Sequence, residues 1–277
     1  MPKARCLRSM RDIDEVNEIT EQAEAFVFDA FGVLNVGETL IEGADLRLRK
    51  SRSLGCKIRI LTNATSYEQS GTIVKFLKLG IEIGDDEIIS NRKAALLVLT
   101  ADLWGIIAAK EDHLSDLDVD YLRLRHKAQD YDLVDGFLFL SSSSWTDVER
   151  QHLTQSLLKN DRPVIVANLD LVAPRDNGFS IEPGYFGHLL VDCEIKNVRF
   201  ILKPFSEVYD LVEISLLGTP TNRTVMCGDT LHTDILGAAA RGRQTVLVTQ
   251  DGLFSGYDTN QFWFESGIYP DWRLARI

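Results

Sequence analysis

At 277 residues and 45% apolar content, the chain is long enough for one large α/β domain, or for a core domain carrying a smaller second one, and either can bury a substantial core. Its 41 acidic residues against 30 basic ones give a formal net charge of -11, which speaks against a nucleic-acid binder, since neutralising backbone phosphates needs a basic face. Any anion must be met by local charge, and a divalent cation would supply it.

The opening residues include Arg5, Arg8, Arg11, Asp12 and Asp14, which break any apolar signal-peptide core, so a cytoplasmic location is the expectation. The first buried strand is predicted at Ala25 to Phe28, and Asp29 follows it directly. Helical spacing over Leu46 to Leu54 leads to a strand over Lys57 to Leu61, then Thr62-Asn63, then a helix over Ser66 to Leu79. The apolar stretch from Ala94 to Ala109 is interrupted by Thr100, Asp102 and Gly105, so it reads as a buried helix followed by a strand and not as a membrane span. Further strands are predicted at Phe137 to Leu140, Val164 to Ala167, Val198 to Leu202, Thr224 to Cys227 and Thr245 to Val248. Helices are predicted at Trp145 to Leu158, Ser206 to Leu217 and Asp234 to Arg241. Cys6, Cys56, Cys193 and Cys227 lie far apart without a Cys-x-x-Cys pair, so neither a zinc site nor a disulfide framework is expected.

Strands alternating with helices imply an α/β fold, a doubly wound parallel sheet covered on both faces. Gly80 to Asp86 is a polar, glycine-bearing break after a helix, and Cys193 to Asn197 is a second break before a strand. Taken as crossing points, they divide the chain into a core over residues 1–84 and 197–277 and an inserted α/β domain over 85–196.

Four predicted strand ends carry polar residues suited to chemistry. They are Asp29, Thr62-Asn63, Lys203-Pro204 and the run from Gly228-Asp229 to Asp234. In a parallel sheet these would emerge on one edge, where open α/β sheets bind ligands. Asp29 and Asp229 brought together would raise each other's pKa unless a cation lay between them. Carboxylates with a backbone carbonyl and waters make the oxygen-only site that Mg²⁺ prefers. Lys203 would hold Asp29 ionised, and Thr62 and Asn63 would donate to phosphate oxygens at the start of the following helix. Taken singly, Asp29 reads equally well as a loop residue or helix cap, and Asp234 as a carboxylate favoured by a helix dipole. His232 reads as a rim residue at a helix start, and Ser141 to Ser144 as a strand exit.

Together these residues resemble the haloacid dehalogenase (HAD) superfamily, whose four motifs are an Asp-x-Asp, a Ser or Thr, a Lys and a Gly-Asp-x-x-x-x-Asp. Gly32-Val33-Leu34, Gly37, Ile41-Glu42-Gly43-Ala44, Leu61-Thr62-Asn63 and Gly228 to Gly237 are similar to its class IIA branch of sugar phosphatases and 4-nitrophenylphosphatase-like proteins. The resemblance implies an α/β cap of the C2 type inserted between the second and third motifs. It implies Asp29 as nucleophile and metal ligand, Phe31 as a ligand through its backbone carbonyl, Asp229 as a direct ligand, and Asp234 as a partner of metal water or of Lys203. Thr62 and Lys203 take phosphate-binding and charge-balancing roles, Mg²⁺ is the implied cofactor, and a small phosphorylated metabolite is the implied substrate. Asn168-Leu169-Asp170 is similar to the Asn-Pro-Asp of those caps, which makes Asn168 and Asp170 candidate substrate contacts and Asp170 a candidate proton donor. Caps of this branch often pair subunits, so the resemblance leaves room for a homodimer.

Phe31 departs from the pattern. The family's second Asp protonates the leaving oxygen and later deprotonates water, and phenylalanine can do neither. Three readings stay open: a Mg²⁺-dependent phosphatase, a metal-independent dehalogenase-like hydrolase, and a weakened enzyme that binds a metabolite for regulation.

Overall fold

Why Asp29 sits at a strand tip is visible in the computed structural model, where Ala25–Asp29 is hydrogen-bonded on both sides inside a seven-stranded sheet. The structure describes residues 2, 10–63, 65, 67–100, 103–143, 145–169, 171–175 and 178–277. Cys6 and Asp170 lie outside the described residues.

The chain divides into two units, one from Met1–Thr62, Thr72–Ile89 and Lys203–Ile277, the other from Asn63–Gly71 and Ser90–Leu202. The sheet of the first unit runs in the order Arg11–Asp12, Trp272–Leu274, Gln244–Val248, Thr224–Gly228, Ala25–Asp29, Lys57–Thr62 and Ile88–Ser90. From Arg11–Asp12 to Lys57–Thr62 every neighbouring pair is parallel. Ala25–Asp29 and Thr224–Gly228 are buried at every position. Since successive side chains point to opposite faces, both faces of the sheet are covered, as a parallel sheet requires. Phe26, Phe28, Ile58, Ile60, Val225, Cys227, Val246 and Val248 share one core cluster, while Leu247 joins another with Leu231, Ile235, Leu236, Phe254 and Ile268. Burying Phe26 and Phe28 alone is worth about 1.5–3 kcal/mol each.

The strand order places the site. From Ala25–Asp29 the chain moves outward through Lys57–Thr62 to Ile88–Ser90, and from Thr224–Gly228 it moves outward the other way. Asp29 and Gly228-Asp229 therefore end adjacent strands at the point where the winding reverses, where a crevice opens beyond the carboxyl ends. Phe28 is in register with Cys227 and with Ile60, which brings Asp29 beside Gly228 and Leu61.

The second unit holds a five-stranded sheet in the order Val198–Phe200, Val164–Val166, Gly136–Phe139, Leu103–Ile107 and Asp120–Arg123, with every pairing parallel. Buried Arg162 ties this unit internally, donating to the carbonyls of Tyr131 and Val134 and to Ser156 Oγ while its guanidinium lies over the Phe137 ring. The apolar stretch around Ala94–Ala109 is a helix over Asn91–Leu96 and a strand over Leu103–Ile107, as its pattern predicts.

Two expectations are corrected. The strand predicted at Val198 to Leu202 does not extend the core sheet. Its residues Val198–Phe200 pair with Val164–Val166 in the second sheet, as a half-exposed edge strand unlike the fully buried Ala25–Asp29 and Thr224–Gly228. The helix predicted from Asp234 begins instead as a π turn over Leu231–Ile235 and turns α-helical only at Leu236–Ala240. Among the described residues no helix is long and apolar enough to cross a membrane.

Candidate active site

Three carboxylates and one ammonium meet beyond the strand ends of the first unit. Asp29, Asp229 and Asp234 are buried, and each offers an oxygen within 4.8 Å of those of the other two. Lys203 Nζ lies 2.7 Å from Asp29 Oδ1 and 2.7 Å from Asp234 Oδ1, with its side chain cut off from solvent. It also approaches the Leu61 carbonyl at 3.5 Å. Lys203 thus joins the site from the loop before the helix Ser206–Ser215, and not from a core strand.

Each carboxylate is aimed by backbone. Asp29 Oδ1 accepts the Ala30 N–H at 2.8 Å, which leaves Oδ2 clear of both that bond and the Lys203 contact. Asp229 Oδ1 accepts from Thr230 Oγ1 at 2.9 Å, and its Oδ2 accepts from the Leu253 N–H at 2.8 Å. Asp234 Oδ2 accepts the Thr230 N–H at 3.1 Å. Glycines leave room for this packing. At Gly32, where φ is +74°, a Cβ would stand 2.6 Å from Asp229 Oδ2, and at Gly252 one would stand 2.2 Å from the same oxygen.

The electrostatics follow from burial. Desolvation pushes the Asp29 carboxyl up to about 8, opposed by Lys203 and reinforced by Asp234 and Asp229. Asp229 is also raised, first by burial and then by Asp234, against the hydrogen bonds from Leu253 and Thr230. Burial works against the charge of Lys203, yet the facing carboxylates of Asp234 and Asp29 hold its pKa above the ordinary lysine value. One ammonium among three carboxylates leaves a buried excess of negative charge. An oxygen-only donor set with that excess fits a hard divalent cation such as Mg²⁺.

Phe31 sits in the tight turn after Asp29, bridged to Asn35, with Gly32 N–H donating to the Asn35 carbonyl and Asn35 N–H to that of Ala30. Its side chain is 47% exposed, so no core packing holds it. Thr62 is buried at the end of Lys57–Thr62, one residue past the partner of Asp29. Asn63 belongs to the second unit, where its Oδ1 accepts from Asn91 Nδ2 at 3.0 Å. Asn168 is buried in that unit after Val164–Val166. His232 is exposed.

Sequence reasoning missed Leu253 and Gly252, which grip Asp229 from the loop after Gln244–Val248. The turn-forming Asp251-Gly252 pair was the available signal for that loop. It also missed Thr230, which binds two of the three carboxylates from inside the fourth motif.

A family model described as haloacid dehalogenase-like hydrolase matches residues 26–112, and a second HAD-hydrolase-like model matches residues 201–263. The chain belongs to the haloacid dehalogenase-like hydrolases. The matched segments of this HAD-like chain carry Asp29, Thr62, Lys203, Asp229 and Asp234. It is 26% identical to phosphoglycolate phosphatase 2 of Arabidopsis thaliana over 269 residues, covering 82% of this chain and 83% of that protein. A possible sugar phosphatase of the HAD superfamily from Cytophaga hutchinsonii shares the fold with a TM-score of 0.84 at 23% identity, covering 97% of this chain and 98% of that one. A glycerol phosphate phosphatase from Mycobacterium tuberculosis in complex with magnesium aligns with a TM-score of 0.71 at 17% identity, covering 88% of this chain and 71% of that one.

Proposed function

We propose that the chain is a Mg²⁺-dependent phosphatase of a small phosphorylated metabolite, a sugar phosphate or nucleotide, acting through an aspartyl-phosphate at Asp29. The observation that carries this reading is the contact of Lys203 with Asp29, inside a carboxylate cluster shared with Asp229 and Asp234. The similarity to phosphoglycolate phosphatase 2 and to magnesium-bound glycerol phosphate phosphatase supports the substrate class and the metal.

Asp29, Asp229, Asp234 and the Phe31 carbonyl are the candidate holders of the ion. Among the described residues that carbonyl accepts none of the hydrogen bonds that fix its turn. When bound, Mg²⁺ neutralises the excess carboxylate charge and the incoming phosphate. Lys203 opposes the burial that raises the Asp29 pKa, a bound cation would complete its ionisation, and Asp29 Oδ2, the oxygen clear of Lys203, attacks phosphorus. The new bond joins that oxygen to phosphorus as the bond to the alcohol oxygen breaks, and the alcohol takes its proton from water or from a residue of the second unit such as Asp170. Water then attacks the phosphorus of the aspartyl-phosphate, releasing inorganic phosphate and restoring the Asp29 carboxylate. Thr62 and Asn63 donate to phosphate oxygens, and Asn168 and Asp170 contact the substrate. The same reading takes the first unit, near the expected residues 1–84 and 197–277, as the catalytic core and the second, near 85–196, as the cap, to which Val198–Phe200 belongs through its pairing with Val164–Val166.

Without a carboxyl at position 31, both proton transfers lose their positioned group, so turnover is slow for alcohols that leave poorly. A phosphometabolite panel with and without Mg²⁺ tests the reading, since Asp29→Asn and chelator must each abolish phosphate release. Phe31 also supports a second reading, metabolite binding with little turnover, which predicts ligand-dependent thermal stabilisation without product. The dehalogenase reading is the weaker, because the carboxylate excess would repel a haloacid in the absence of metal.

A further inference from the structure

We propose that Tyr209 is a positioning residue for the metal centre, acting through the π turn that carries Asp234; this inference rests on the Mg²⁺ site proposed above. Tyr209 lies on the helix Ser206–Ser215, six residues after Lys203, and is buried beneath Leu231–Ile235. Its hydroxyl hydrogen is shared between the Thr233 carbonyl at 3.2 Å and the Asp234 carbonyl at 3.1 Å.

The place for that donor follows from the shape of the turn. The N–H groups of Asp234 and Ile235 both converge on the Thr230 carbonyl, and the Leu236 N–H reaches back to the carbonyls of Leu231 and Thr233. Such a widened turn departs from the regular helical ladder, and each of its carbonyls has two lone pairs, so that a side-chain donor can fix it beside its backbone partner. Tyr209 supplies it at the residue whose carboxylate holds Lys203.

The chain makes room for this contact one turn later. At Gly237 a Cβ would stand 2.4 Å from Tyr209 Cε2 and 2.6 Å from its hydroxyl oxygen, so any side chain there would drive the ring off the turn. A single tyrosine thereby ties the segment bearing Lys203 to the segment bearing Asp234, from below both and without reaching the ligand oxygens. Replacing groups that orient metal-site residues in this way typically costs about 10–100-fold in metal affinity.

The test compares Tyr209→Phe with Val212→Ala, a buried truncation on the same helix that touches no part of the turn through a hydrogen bond. Mg²⁺ affinity is measured by titration calorimetry and thermal midpoint by scanning calorimetry, on full-length protein without substrate. The expected result is a roughly 10-fold weaker Mg²⁺ dissociation constant for Tyr209→Phe, and an unchanged one for Val212→Ala despite a lower midpoint. A Tyr209→Phe constant within about 2-fold of wild type overturns the positioning role, whatever happens to its midpoint, while wild-type Mg²⁺ binding still stands for the proposed function. If both variants weaken Mg²⁺ alike, general loosening of the helix explains the effect and the specific role of the hydroxyl is overturned. Wild-type protein that takes up no Mg²⁺ at all brings down both the proposed function and this inference.

Discussion

Lys203 Nζ and Asp234 Oδ1 stand 2.7 Å apart with both side chains sealed from solvent, and the same ammonium reaches Asp29. A lysine here is compensated only because carboxylates face it, and they in turn are compensated only in part. Removing one partner of such a pair leaves a buried charge unmet. Lys203→Met is therefore expected to lower unfolding stability in metal-free protein by about 3–5 kcal/mol, read by urea denaturation. A loss below about 1 kcal/mol would mean that the carboxylates share protons or relax without it.

Phe31 is exposed and plays no part in the core, so replacing it carries little folding cost. Phe31→Asp places a carboxyl two residues from Asp29, in the turn where the Gly32 and Asn35 amides fix the backbone. A positioned acid and base are worth about 10²–10⁴ in rate, and a gain of that order in steady-state phosphate release is expected. No gain on any phosphometabolite would favour a pocket that binds without turning over.

Gly32 is held at φ +74° with Asp229 Oδ2 and Gly252 Cα against the space a side chain would fill. Gly32→Ala is expected to cost about 1–2 kcal/mol from backbone strain alone, and to weaken Mg²⁺ binding because the intruding methyl displaces Asp229. Paired calorimetric measurements of stability and Mg²⁺ affinity check this. A variant that loses stability but keeps its Mg²⁺ affinity would show that Asp229 is not a holder of the ion.

The second unit has its own weak point in Arg162. Replacement by Met leaves the Val134 carbonyl without its donor and the Tyr131 carbonyl with Ser156 Oγ alone, at about 1–3 kcal/mol for the unsatisfied buried group. The expected consequence is earlier amide exchange in Gly136–Phe139 and Val164–Val166, with the strands of the first unit unaffected. Uniform loss of protection across both sheets would show that the two units unfold as one.

The strands that carry Asp29, Thr62 and Asp229 were legible because continuous apolar runs mark strands buried on both faces, and a polar residue at the end of such a run stands out. Lys203 was legible as a residue but not by its route, since a three-residue edge strand pairs by backbone alone and its side chains do not say which sheet it joins. Arg11–Asp12, Asp120–Arg123 and Trp272–Leu274 escaped notice for the same reason, being too short to show alternation. The grip of Leu253 on Asp229 and of Tyr209 on the Asp234 turn depends on loops and helices meeting in space, which no local pattern encodes. The π turn replaced an expected helix start because Asp234 and Ile235 both bond back to Thr230, a choice made by the packing around the carboxylates.

The central claim is that Asp29 takes up the phosphoryl group. Protein exposed to Mg²⁺ and a phosphorylated substrate, quenched in acid and digested, should carry a phosphoryl increment on the peptide that contains Asp29, and Asp29→Asn protein should carry none. Phosphate release that persists in Asp29→Asn, or a label found on another residue, would contradict the account.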